Sequence, residues 1–119
     1  MAACTFQWEW RGGPINIAHE RLGTGRPVLL LPAFSTVSSR EEMRPLAERL
    51  AAQGCCCVLV DWPGFGDSTR GRLGYEPRLY HCFLADFVAA VMPSGAAVIA
   101  AGHAASYALA LARNRPGVW

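Results

Sequence analysis

Three short runs of unbroken apolar residues, separated by stretches of helical periodicity, restrict this chain more than any other feature. They are Val28-Leu29-Leu30-Leu31, Cys55 to Val60, and Ala96 to Gly102. A strand with one solvated face alternates apolar and polar residues. A continuous apolar run instead fits a strand covered on both faces, as in a parallel sheet whose strands are joined by crossover helices. Between the first two runs, Ser38 or Ser39 can cap a helix beginning near Arg40, with Met43, Leu46, Ala47 and Leu50 on one side and Gly54 at its end. Pro45 falls in its first turns, where a proline costs least. Between the second and third runs, Phe83, Leu84, Phe87, Val88 and Val91 recur at helical spacing over about Arg78 to Met92, and Pro93-Ser94-Gly95 breaks the pattern. A third helix is expected from about Ala105 to Arg113.

The first part of the chain follows a different pattern. Phe6-Gln7-Trp8-Glu9-Trp10 alternates apolar and polar, Arg11-Gly12-Gly13-Pro14 gives a turn, and Ile15 to Glu20 alternates again before Gly23-Thr24-Gly25. This reads as a hairpin with one solvated face; Trp8 and Trp10 in it, and Trp62 further along, cover the sheet or line a pocket. The fold expected is therefore α/β: three layers around a mostly parallel sheet opened by a β-hairpin.

Composition excludes several classes. At 119 residues the chain is one domain at most, and 52% hydrophobic against 17% charged residues is enough to build a core. No apolar run approaches the roughly 20 residues of a membrane span. The N-terminus lacks the basic-then-apolar pattern of a signal peptide. A net charge of +2, carried by scattered Arg with no Lys, gives no stripe for nucleic acid or an anionic membrane. Cys55, Cys56 and Cys57 would point to alternating faces of a strand, and Cys4 and Cys82 stand alone. Neither they nor His19, His81 and His103 show metal-ligand spacing. No metal, cofactor, nucleic acid or membrane is expected, and the cysteines read as free, buried thiols. His19 reads as a solvated residue at a strand end, and His81 as surface.

Three segments, in order and at the right spacing, carry a resemblance. Leu29-Leu30-Leu31-Pro32-Ala33-Phe34 stands where α/β-hydrolases have an apolar strand ending in His-Gly and a hydrophobic residue. Asp61-Trp62-Pro63-Gly64-Phe65-Gly66-Asp67-Ser68 resembles that family's D-x-P-G-[FH]-G-x-S turn, and Gly102-His103-Ala104-Ala105-Ser106 resembles its strand-to-helix nucleophile elbow, G-H-S-x-G. The resemblance covers the chain from Phe6 onward. The G-H-A-A elbow is also similar to that of a cyanobacterial and plastid-type group.

The resemblance implies the following site. The elbow lifts a nucleophile off its strand and needs small neighbours, such as Gly102, while His103, the residue before the nucleophile, packs as scaffold. The family motif puts its serine at Ala104, and a methyl group can neither attack a carbonyl nor be activated by a base. The backbone N–H groups of Phe34 and Ala105 would hold an oxyanion. Pro32 and Ala33 depart from His-Gly, which leaves the conformation of that loop open. In the turn, Asp61 and Ser68 are expected to anchor the loop through backbone hydrogen bonds, with Gly64 and Gly66 as turn residues. A shift of the elbow by two residues would make Ser106 the nucleophile, flanked by Ala104 and Ala108. In this fold the acid and histidine of the triad follow the nucleophile, yet no Asp, Glu or His follows Ser106.

The expectation is a single partial domain over residues 1–119, about the N-terminal half of the fold and truncated before its last strands. An unpaired edge beside Ala96 to Ala101 would then make the isolated chain marginal. Two function classes stay open: a non-hydrolytic protein binding a small molecule, or a serine hydrolase of small acyl substrates using Ser106 with partners in a C-terminal part. A third uses an elbow without serine for non-hydrolytic chemistry, the pocket positioning the substrate. The expected location is the cytoplasm, or a plastid. Oligomeric state is not read from the sequence.

Overall fold

The three apolar runs become adjacent parallel strands. A computed structural model describes residues 3–119. Its strands are β1 (Cys4–Trp10), β2 (Gly13–Leu22), β3 (Arg26–Leu31), β4 (Cys55–Val60) and β5 (Ala97–Ala100), and its helices are α1 (Arg44–Ala52), α2 (Pro77–Val91) and α3 (Ala104–Asn114). The strands form one sheet in the order β1-β2-β4-β3-β5. β3 pairs in parallel with β4 on one side and β5 on the other, while β2 runs antiparallel to both β1 and β4.

Side-chain alternation along the central strands divides the core in two. Leu29, Leu31, Val58 and Val60 face α2 and α3, with Phe83, Phe87 and Leu111 packed on them. Val28, Leu30, Cys57 and Leu59 face the other way, against Met43 and Ala47. The hairpin contributes Trp8, Ile15 and Ile17 to the first face, with Phe6 and Trp10 at its margin. The tryptophans therefore cover the sheet, and the Trp8 ring is fixed by Nε1 donating to Asp86 Oδ2 at 2.8 Å.

Several local expectations need correction. Arg40–Met43 form a 3-10 turn, capped by the Ser39 side chain, and the α-helix starts only at Arg44 with Pro45 in its first turn. Leu46 is exposed and faces away from the sheet. His19 is buried at 8% exposure, because it shares the inward parity of Ile15 and Ile17 and lies under the Phe87 ring at 5.4 Å. The cysteines are free, but Cys4 is exposed and Cys55, Cys56 and Cys82 are half-buried; Cys57 alone is buried. The third strand is shorter than its apolar run, ending at Ala100, and α3 starts at Ala104. Among the described residues no helix is long and apolar enough to cross a membrane.

Candidate functional site

The carboxyl ends of β3, β4 and β5 lie side by side, and the three motif segments emerge from them together. In open α/β sheets this end is where ligands bind, because the loops there diverge and leave a crevice.

The turn after β4 is held mainly by one carboxylate. Asp61 is fully buried and accepts from the backbone N–H of Arg40 at 2.6 Å and of Asp67 at 2.9 Å. The Arg40 guanidinium pairs with the same carboxylate, with Glu20 at 2.6 Å and with Asp67 at 3.1 Å. Burial opposes the charge on Arg40, yet its bonds to Glu20, Asp61 and Asp67 outweigh that and hold its pKa above the ordinary value. Glu20 in turn is held below its ordinary value, first by the hydrogen bond from Arg44 and then, against burial, by that from Arg40. Ser68 Oγ donates to the Asp61 carbonyl at 2.7 Å and accepts from the Ala18 N–H at 3.0 Å, tying the turn back to β2. Gly66 takes φ +51 directly against the Asp61 carboxylate, and a side chain there would overlap it. Asp61 is thus an anchor, not an exposed acid.

The loop after β3 presents Phe34. Its ring is the hub of an aromatic cluster, 4.7 Å from Trp62, 4.9 Å from Tyr80, 5.4 Å from Tyr107 and 5.5 Å from Phe65. Trp62 is fully buried and donates from Nε1 to the Pro32 carbonyl at 2.8 Å, which fixes the start of this loop. Pro32 and Ala33 thus replace His-Gly in a loop braced from beneath by an indole.

The strand-to-helix turn does not have the register expected from the motif. Gly102 has φ +54, the left-handed region that costs an L side chain roughly 1–2 kcal/mol. His103, with φ −63 and ψ −22, is already right-handed, and Ala104 is the first residue of α3 with its methyl fully buried. Ala104 therefore is not the raised tip of the turn. The N–H of Ala105 donates to the Gly102 carbonyl at 3.1 Å, so it is engaged within the turn and is not open to an oxyanion. Ser106 lies in the first turn of the helix, its Oγ donating to the His103 carbonyl at 2.8 Å. The tip is Gly102, exposed beside the β3 loop. A methyl built on Gly102 would meet only Ala33 Cβ, at an ordinary 3.8 Å, so there is room for a side chain.

His103 is exposed and stands edge-on to Phe34 at 5.9 Å and Tyr107 at 5.4 Å. His81 is exposed and 4.6 Å from Tyr107 on its other side. Beside this cluster opens an apolar cleft of about 450 Å³, walled by Phe34, Phe65, Tyr75 and Tyr80, with Arg70 at its rim. A larger hollow of about 680 Å³, lined by Val28, Ile99 and Trp119, lies along β5 at the opposite end of the strands, away from the motif segments. Among the described residues no group of three or more His, Cys, Asp or Glu is arranged to hold a metal ion.

The model of the Alpha/beta hydrolase family matches residues 28–118, which hold all three segments. The chain belongs to that family. Solved structures share the fold: the thioesterase domain from the curacin biosynthetic pathway, at 20% identity and TM-score 0.80, covers 99% of this chain. A probable hydrolytic enzyme from Pseudomonas aeruginosa, at 18% identity and TM-score 0.82, covers 97%. An alpha/beta hydrolase from Sphaerobacter thermophilus, at 30% identity and TM-score 0.74, covers 92%. This chain spans less than half of each of them: 44%, 38% and 40% of their lengths respectively. No curated protein matches it.

In this α/β-hydrolase chain the three segments lie together at one end of the sheet, and the left-handed residue of the elbow is Gly102, two residues before the Ala104 position that the motif gives. Ala100-Ala101-Gly102-His103-Ala104 also has small residues flanking a central position, and glycine is the residue that takes a left-handed conformation at least cost. Arg40, Glu20, Tyr75, Tyr80 and Tyr107 were also missed. Their importance depends on partners far along the chain, which no local pattern records.

Proposed function

We propose that this chain carries the ligand-binding end of an α/β-hydrolase fold and does not form a covalent serine intermediate. The observation that supports this most directly is Gly102. It stands at the left-handed tip between β5 and α3 where the family lifts its nucleophile, and it has no side chain. Ala104, placed there by the motif, instead fills the core. On this reading the N–H of His103, the residue after the tip, replaces that of Ala105 as the partner of the Phe34 N–H. Two such N–H groups, one in the loop after β3 and one at the start of α3, suit a carbonyl oxygen of a bound molecule. The chain is then a partial domain of a non-hydrolytic relative, with a small molecule as its partner.

The competing reading is a serine hydrolase using Ser106. It is disfavoured because Ser106 Oγ donates to the His103 carbonyl within α3, while the left-handed residue of the turn is Gly102. Treating the purified protein and its Ser106→Ala variant with a serine-reactive fluorophosphonate separates the two. The expected result is no labelling of either protein. Labelling that is present in the parent and lost in the variant would make Ser106 the nucleophile and overturn the proposal.

A further inference from the structure

The cleft beside the elbow has a composition that selects among ligands. Four of its walls are aromatic rings, from Phe34, Phe65, Tyr75 and Tyr80. Phe34, Phe65 and Tyr80 are held in place before any ligand arrives, while Tyr75 is half exposed. Tyr80 donates its hydroxyl to the Pro63 carbonyl at 3.0 Å, and Phe65 and Tyr80 both stand edge-on to Phe34. The Tyr75 ring lies directly over Gly64, where φ is +87 and no Cβ would fit beneath it. Fixed rings lose little conformational freedom on binding, so a flat apolar ligand is favoured over a flexible chain.

One charged group borders this space. Arg70 is exposed, and its Nε and Nη2 donate to the Gly66 carbonyl at 3.2 and 2.8 Å. Those bonds orient the guanidinium and leave the N–H groups of Nη1, and one of Nη2, for a ligand. No carboxylate lines the cleft. The nearest acids in the turn, Asp61 and Asp67, are turned to Arg40 instead. A single oriented cation above an aromatic slot complements one negative charge on a planar body.

We infer that this cleft binds a planar aromatic carboxylate, its ring system between Phe34, Phe65, Tyr75 and Tyr80 and its carboxylate on Arg70. The inference rests on the reading of this end of the sheet as a ligand site, and it names the ligand class. A cavity of about 450 Å³ lies within the roughly 300–1,000 Å³ usual for small-molecule sites and holds a two-ring acid comfortably.

The test is a binding titration of the purified protein with 2-naphthoate, its neutral amide and the non-planar decalin carboxylate, followed by ligand-observed NMR. Arg70→Gln is the variant: its amide can still donate to the Gly66 carbonyl, and its circular dichroism is recorded alongside to confirm the fold. Naphthoate is expected to bind at least tenfold more tightly than either comparison compound, and Arg70→Gln to bring acid and amide within twofold of each other. A second variant, Tyr75→Ala, is expected to weaken acid and amide alike by about fivefold or more. Equal binding of acid and amide by the parent protein, or no binding of any of them, overturns the inference. Fluorophosphonate labelling of Ser106 would overturn the non-covalent reading while leaving the acid preference intact, so the two failures are distinguishable.

Discussion

The backbone N–H of Arg40 and its guanidinium both bind the Asp61 carboxylate, so one buried residue ties the turn before α1 to the turn after β4. These turns leave the adjacent parallel strands β3 and β4, and their relative position sets the distance between Phe34 and Phe65. A side-chain pair within the scaffold thereby fixes two walls of the aromatic cleft.

Removing one member of this pair strands the other. Asp61→Ala would leave Arg40 buried with only Glu20 and the exposed Asp67 as counter-charges, and would orphan two backbone N–H groups. Breaking a buried pair from one side costs about 3–5 kcal/mol. Urea unfolding should show a loss of that size, and a loss below about 1 kcal/mol would mean that water or Glu20 replaces the carboxylate.

Gly66 is the most restrictive glycine of the site. Its φ of +51 disfavours any side chain, and a methyl there would overlap the Asp61 carboxylate that Arg40 locks in place. Gly66→Ala should therefore cost more than the ~1–2 kcal/mol of backbone strain alone. Thermal unfolding of this variant beside Gly12→Ala, at φ +77 where a methyl meets nothing within 4 Å, separates the clash from the strain.

Acid should destabilise the protein in two stages. His19 is buried with its Nδ1 unpartnered among the described residues, and burial, with Arg21 nearby, lowers its pKa from the ordinary 6.5. The unfolded chain therefore takes up this proton first. The His19 contribution is complete above 6.5 and is lost as pH falls from there through the lower folded value. Glu20, lowered from 4.5 chiefly by Arg44, adds a second loss that begins below that value. Denaturant midpoints measured against pH should show both stages, and His19→Leu should remove the upper one alone.

Much of this architecture is legible in the sequence because burial on two faces leaves a local mark. Val28 to Leu31 and Cys55 to Val60 have no polar alternation, and both became central strands. Leu46 was misplaced because the 3-10 turn at Arg40–Met43 rotates α1 relative to a helix counted from Arg40. His19 was read as solvated from its place at a strand end, although its parity with Ile15 and Ile17 already put it inward. The elbow's register is ambiguous in the sequence for a different reason. Its motif is defined by a serine, and without one Gly102-His103-Ala104 and Ala100-Ala101-Gly102 both satisfy the spacing. Backbone conformation separates them, through the one residue that turns left-handed. The Arg40–Asp61 pair spans two turns of the chain and leaves no periodic trace.

The register of that turn is the central claim, and thiol accessibility reads it directly. Gly102→Cys and Ala104→Cys are each treated with a small maleimide under native conditions, and modification at each site is followed by peptide mass spectrometry, with exposed Cys4 and buried Cys57 as internal standards. Cys introduced at position 102 is expected to react at a rate near that of Cys4, while at position 104 it is protected like Cys57 until the protein unfolds. Rapid modification at position 104 with protection at position 102 would put Ala104 at the tip of the elbow and contradict the account.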